Sequence, residues 1–287
     1  MNLQNTAFSD IPDPQITGIP DITDIEFEKF RKLIYELAGV SMNDSKKSLI
    51  RGRLLRRIRY YGFKSYKEYY KLIQEPTAEA KEELHILVDL LTTHETYFFR
   101  EPEHFKYLAE YLTLHKKDLR EFNVWIAASS SGEEAYTAAM VIHDILGDDI
   151  PWSIEASDVS RGIIEIAASG LYPLERADKI PEQYLKKYCR KGVKSMEGLF
   201  KISNVLMNRI TFKQINLIEE IPLRTNFDLV FLRNVMIYFN QETKKTVVSH
   251  IAERMKPGAI LIVGHSESLN GLNTGLKWIK QSVYQKV

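Results

Sequence analysis

Residues 124–140 read VWIAASSSGEEAYTAAM. An apolar run enters three serines and one glycine, meets two glutamates, and continues as a helix-like stretch. That is a strand–loop–helix junction, and open parallel sheets bind ligands beyond the carboxyl ends of their strands. Only Gly132 is available for close backbone approach, and the G-x-G-x-x-G pattern is missing. Glu133 and Glu134 stand in the first helical turn, where the helix dipole favours anions, so they can be ordinary first-turn residues. The same acids would repel a pyrophosphate laid on that turn. A ligand with a positive group suits them better, and S-adenosylmethionine is one: it carries an ammonium and a sulfonium and no phosphate. Asp158 ends a second strand-like run. Its carboxylate can accept two hydrogen bonds from a ribose diol or cap the helix that follows. Asn216 can pair with an adenine edge or shape a turn.

The elements that must position these residues fall into two textures. Thr23 and Glu26 match a capping box. Phe27, Phe30, Ile34 and Leu37 follow at helical spacing, with Gly39 as a stop. In KKSLIRGRLLRRIRYYGF, Ile50, Leu54 and Ile58 form a stripe surrounded by Arg51, Arg53, Arg56, Arg57 and Arg59. SYKEYYKLI and EAKEELHILVDLLTTHETYFF continue as helices, so residues 22–92 read as all-helical. Before them, residues 1–21 carry Pro12, Pro14 and Pro20 and read as an irregular arm. After Asn123 strands alternate with helices: VWIAA, AYTAAMVIHDIL, PWSIEASD, then SRGIIEIAASGLY stopped by Gly170. Residues 190–215 read as a small antiparallel insertion, and FDLVFLRN as a strand buried on both faces. ETKKTVVSHIAERMKPG reads as a helix closed by Pro257-Gly258, AILIVG as a strand, and LKWIKQSVYQKV as a last edge strand. Alternation of this kind implies a doubly wound, mostly parallel α/β sheet behind an all-helical N-terminal domain. Residues 93–122 link the two.

Bulk properties narrow the function classes. With 287 residues the chain can bury a core without staples, and its single cysteine, Cys189, excludes an intrachain disulfide and a thiolate cluster. No metal site is expected. The formal net charge of +1 gives no global pull toward nucleic acid. No run approaches a membrane span and the N-terminus lacks a secretory pattern, so a cytoplasmic location is expected.

Six segments then fall in one order: TTHETYFFREPEHF, WIAASSSGEEAYTAAM, EASDVSRGIIEIAASGLYP, INLIEE, FLRNVMIYFN and GHSESL. In that order the chain, from about residue 22 to its end, resembles the chemotaxis receptor methyltransferases of CheR type. The resemblance implies a seven-stranded methyltransferase sheet. It also implies S-adenosylmethionine-dependent esterification of glutamate side chains on cytoplasmic receptor helices, with S-adenosylhomocysteine as product. A glutamate is already ionised at neutral pH, so the displacement needs no general base. Carried over residue by residue, His94, Thr96 and Arg100 would line the cofactor, together with Ala128 and Gly132 of the loop. Glu134 would meet the methionine end, Asp158 the ribose, and Asn216 and Leu217 the adenine. Arg233 and Asn234 would line the pocket. Arg100, holding the incoming carboxylate, and Tyr238, beside the transferring methyl, would be the catalytic pair. RGRLLRRIRYYGF would be the family's basic helix, with Arg53, Arg56, Arg57 and Arg59 facing the receptor.

The chain departs from the family pattern at three positions: His94 where asparagine is usual, Ser129 for cysteine and Ala135 for proline. The loop RKGVKSMEGLF, 190–200, is poor in glycine and proline, which argues against tethering to a receptor's C-terminal pentapeptide. An alternative function is a cofactor-binding regulatory module, to which His94 lends weight; a small-molecule methyltransferase is a third.

Overall fold

The computed structural model describes residues 18–223, 226–272 and 274–287. Most of the arm expected over 1–21, with Pro12 and Pro14, lies outside them. The chain forms two compact units, one ending at Thr93 and one spanning His94–Val287.

The first unit holds α1 (Asp24–Ala38), α2 (Lys47–Tyr60), α3 (Tyr66–Leu72) and α4 (Ala78–Leu91). The capping box at Thr23 and Glu26 forms, and left-handed Gly39 ends α1. Phe27, Phe30 and Ile34 of α1 are buried, as are Ile50, Leu54 and Ile58 of α2. Helix α4 stops at Leu91 rather than running to residue 99. Thr92 turns extended and its hydroxyl bonds back to Val88 O at 2.7 Å. Arg53 supplies the cap, donating to Leu90 O at 2.9 Å and Thr92 O at 2.8 Å.

The second unit opens with α5 (Pro102–His115) and then alternates: β1 (Phe122–Ile126), α6 (Glu133–Leu146), β2 (Trp152–Asp158) and α7 (Arg161–Ser169). β3 (Leu171–Pro173), α8 (Glu182–Tyr188), β4 (Cys189–Lys191), β5 (Leu199–Ile202) and α9 (Asn204–Met207) follow. The chain closes with β6 (Ile210–Gln214), β7 (Phe227–Leu232), α10 (Gln241–Glu253), β8 (Met255–Val263), β9 (Leu276–Lys280) and β10 (Val283–Lys286).

Seven strands make one sheet in the order β6-β2-β1-β7-β8-β10-β9, parallel except at β10. Alternation along β1 sends Phe122, Val124 and Ile126 into one apolar layer and Trp125 into the other. The chain winds outward from β1 to β2 and β6, then returns to build β7 and β8 on the other side. The reversal places a crevice at the carboxyl ends of β1 and β7.

Three expectations need correction. The antiparallel sheet is β3-β5-β4, spanning 171–202 rather than 190–215. Residues 210–214 instead pair parallel with β2, as the edge of the main sheet. Pro257-Gly258 does not close a helix; α10 ends at Glu253, and both residues lie in β8, where the register shifts against β7. The tail supplies a hairpin, β9–β10, rather than one strand.

Candidate active site

The loop after β1 is built by β2. Asp158 Oδ2 accepts the Ser130 amide at 2.9 Å, and its Oδ1 accepts the Ser160 amide at 3.1 Å. Ser160, not Asp158, caps α7, accepting the Ile163 amide at 3.2 Å. The Asp158 carboxylate therefore shapes two loops from the end of its strand. Ser130 takes φ 48°, and its hydroxyl donates to His94 O at 3.0 Å, which brings the His94 segment to this loop.

Gly132 serves packing. It sits at φ 93°, and a Cβ there would lie 2.9 Å from Ala167 Cβ and 3.0 Å from the Tyr172 hydroxyl. The glycine lets α6 start against α7; the direction in which its side chain is missing points into protein.

The two glutamates of α6 divide their work. Glu133 is fully buried, accepts from Ser131 Oγ at 2.6 Å and pairs with Arg176, a structural tie. Glu134 faces the β7 end, where its Oε2 accepts from Arg233 Nη1 at 2.5 Å. Burial holds the Glu134 carboxyl above its ordinary range, and the Arg233 charge opposes this.

Arg233 links these groups. Its side chain is fully enclosed, lies over the Phe105 ring, and donates to Arg100 O at 2.5 Å and Glu101 Oε2 at 3.0 Å. It thus fixes the main chain of the segment that carries Arg100. Asn234, at φ 57°, donates from Nδ2 to Glu101 Oε1 at 3.2 Å. Glu267, from the GHSESL segment, accepts the amides of Asn234 and Gly264, each at 2.8 Å, and that of Ile237 at 3.3 Å. Burial raises the Glu267 carboxyl even though backbone amides pull it down. Gly264 is required there, since a Cβ would meet Asn234 Nδ2 at 2.7 Å. Tyr238 ends the short turn Met236–Tyr238 and is half-buried.

The structure therefore gathers two bonded groups around the carboxyl ends of β1, β2 and β7: His94 and Asp158 joined through Ser130, and Glu134, Arg233 and Asn234 joined through Arg233 and Glu101. Ala128 and Thr96 are half-exposed beside it in sequence. Arg100 donates to Glu95 O at 2.7 Å, with its guanidinium 5.8 Å from the Tyr97 ring centre. Asn216 behaves as a turn residue: its Nδ2 donates to Glu219 Oε1 at 2.8 Å. Leu217 is buried in the Trp125 layer.

Sequence reading missed Glu101 and Glu267. Both lay inside the quoted segments REPEHF and GHSESL, but only the fold shows that they brace Arg233 and Asn234. One receptor-facing assignment fails. Arg57 is 7% exposed and forms a two-point pair with Glu83, at 2.7 and 2.6 Å, which Tyr61 and Tyr69 also reach. It is a core residue, because its helical position points inward beside Ile58. Arg56 is exposed and Arg59 half-buried.

The family model of the CheR methyltransferase S-adenosylmethionine-binding domain matches residues 94–285, and that of the CheR all-α domain matches 25–92. The chain belongs to the CheR methyltransferase family. The chemotaxis protein methyltransferase of Escherichia coli (strain K12) is 34% identical over 272 residues, covering 94% of this chain and 93% of the relative. Chemotaxis protein methyltransferase 2 of Pseudomonas aeruginosa is 33% identical, covering 90% and 92%. The Borreliella burgdorferi chemotaxis protein methyltransferase is 33% identical, covering 93% and 95%.

This CheR-family chain is thus an S-adenosylmethionine-dependent methyltransferase of chemotaxis. The residues present fit that cofactor. Glu134, in the first turn of α6, brings a buried carboxylate to the carboxyl end of β7, and the cofactor carries cationic groups that suit it. Among the described residues, Ser129 Oγ is buried without a hydrogen-bond partner. No helix among the described residues is long and apolar enough to cross a membrane.

Proposed function

We propose that the chain esterifies glutamate side chains on the cytoplasmic helices of chemoreceptors, working in the cytoplasm. The observation that carries this reading is the Glu134–Arg233–Arg100 chain of bonds. It ties an acid suited to a cationic cofactor to the segment bearing the one arginine assigned to the substrate.

When bound, S-adenosylmethionine supplies an electrophilic methyl group on its sulfonium, which passes to a carboxylate oxygen as the carbon–sulfur bond breaks. Glu134 and Asp158 would hold its amino and ribose ends, with Asn216 and Leu217 beside the adenine. His94, Thr96, Ala128, Gly132 and Asn234 would complete the lining. Arg100 receives the substrate carboxylate through its planar fork and sets the line of approach. Tyr238 borders the methyl position. Arg233 acts through others: it holds Glu134 and the Arg100 main chain in place. The glutamate arrives ionised, so no side chain need take a proton.

The helical domain, 22–92, presents the receptor-binding face. Arg56, exposed on α2, is its best-placed cation, with Arg59 beside it. Residues 93–122 form the connection that lines the site, and 123–287 the catalytic domain. Tethering through a receptor tail peptide is not part of this reading. The alternative of a regulatory module has little support, since the relatives are named methyltransferases over nearly their whole length.

The test is transfer of labelled methyl from S-adenosylmethionine to receptor-containing membranes. Base-labile label is expected, and Arg56→Glu should lower it while leaving cofactor affinity unchanged. Cofactor binding with no base-labile label on any receptor would refute the enzyme reading for those substrates. Equal labelling by the Arg56→Glu protein would refute the receptor face.

A further inference from the structure

Glu101, His104 and His265 each aim one ligand-type atom into the same small volume, all within 4.8 Å of one another. They are the one such group of three among the described residues. Glu101 is the N-cap of α5, His104 lies in the first turn, and His265 follows β8. Three residues' spacing puts Glu101 and His104 on one side of the helix start. The two imidazole rings meet edge to face, with centres 4.6 Å apart.

His104 is the anomaly. It is 3% exposed, yet neither ring nitrogen has a hydrogen-bond partner. Its Nδ1 lies 3.3 Å from Glu101 Oε2 without bonding geometry. A buried polar ring with both nitrogens unsatisfied is rare in folded proteins and calls for a partner. Burial, with Arg233, His265 and Lys280 nearby, pushes the ring's pKa down to about 3. His265 is exposed and gives an entry route.

We propose that Glu101, His104 and His265 form a binding site for a divalent transition metal of the zinc, nickel or copper class, separate from the methyl-transfer chemistry. Two imidazoles and one carboxylate suit these ions and not magnesium or calcium. Arg233 and Lys280 oppose an extra positive charge, so only an ion that bonds strongly to imidazole nitrogen can be held. Each metal–ligand bond uses a lone pair already present on a neutral imidazole or an ionised carboxylate.

Occupancy carries a consequence. Glu101 Oε2 is also bonded to Arg233 Nη2 at 3.0 Å and to the His265 amide at 3.2 Å. A metal on that carboxylate competes with Arg233, which would lose one of the three partners that hold it against Glu134 and Arg100 O. The ion should therefore loosen the arrangement behind Arg100 and Glu134 and weaken cofactor binding.

The experiment uses the full-length protein, with Co2+ as an optical probe and Zn2+ as competitor. Expected are visible cobalt absorption bands saturating at one ion per chain, displaced by Zn2+ and untouched by Mg2+. His265→Ala, at an exposed position, should weaken binding at least about tenfold, the scale on which metal sites respond to lost support. Circular dichroism confirms that the variant folds. Zn2+ should also weaken S-adenosylmethionine binding, read by calorimetry, in the wild type and not in His265→Ala. No saturable bands, or equal binding by the variant, overturns the site. Cofactor affinity indifferent to bound Zn2+ overturns the coupling through Glu101.

Discussion

Glu83 is 1% exposed and takes both guanidinium arms of Arg57. Glu83→Ala strands that charge in the core and should cost about 3–5 kcal/mol, as breaking buried ion pairs does. Arg56→Glu, one residue away on the surface, should stay within about 0.5 kcal/mol. Urea unfolding of the helical unit, followed by circular dichroism, separates the two. Gly132→Ala should destabilise the catalytic domain, because it adds a Cβ at φ 93° against Ala167; thermal unfolding reads it. His104 sets a pH dependence of defined sign. Its ring stays neutral down to about 3 in the folded chain, against 6.5 ordinarily. Between those values the unfolded chain binds the extra proton, so stability is full above about 6.5 and falls as the pH drops toward 3. Unfolding free energies measured across that window should fall more steeply for the wild type than for His104→Asn.

The loop after β1 is held as an element, not by one residue. Asp158→Ala frees the Ser130 amide in a buried setting and should cost about 1–3 kcal/mol of stability. It should also weaken S-adenosylmethionine binding by at least about tenfold, or ~1.4 kcal/mol, seen by calorimetry. At this scale much was legible in the sequence. The capping box at Thr23, the stops at Gly39 and Gly170, and the alternation of strands and helices all rest on local chemistry. The errors arose where long-range pairing decides. Residues 210–214 carry β-forming residues suited to either sheet, and only β2 recruits them as a parallel edge. Pro257-Gly258 carries a helix-stop signature but sits in a strand that shifts register. Residues 92–99 have apolar spacing, yet α4 ends where Arg53 caps it. Within the site, what was legible was placement: Asp158 at the end of a strand and Glu134 in the first turn of a helix. Glu101 and Glu267 were not, because Arg233 lies 132 residues from Glu101 and Asn234 lies 33 residues from Glu267, with α10 and β8 between. Arg57 was misread because five arginines in nine residues mask which one points inward.

At the scale of the molecule, the chain divides at Thr93, and the S-adenosylmethionine-binding family model falls on the second unit while the all-α model falls on the first. On the proposed reading, substrate choice belongs to the helical unit and chemistry to the sheet. Changes in α2 should therefore move the KM for receptor, and changes around Arg100 should move kcat. In the proposed mechanism Arg100 delivers a glutamate carboxylate to the methyl group. Its most direct test is the rate of base-labile methyl incorporation into receptor glutamates by wild type and Arg100→Lys, with cofactor affinity measured in parallel. Lysine keeps the charge but loses the fork, so kcat should fall at least about tenfold, ~1.4 kcal/mol, with cofactor affinity nearly unchanged. Undiminished transfer by Arg100→Lys, or label held only in base-stable form on nitrogen, would contradict it.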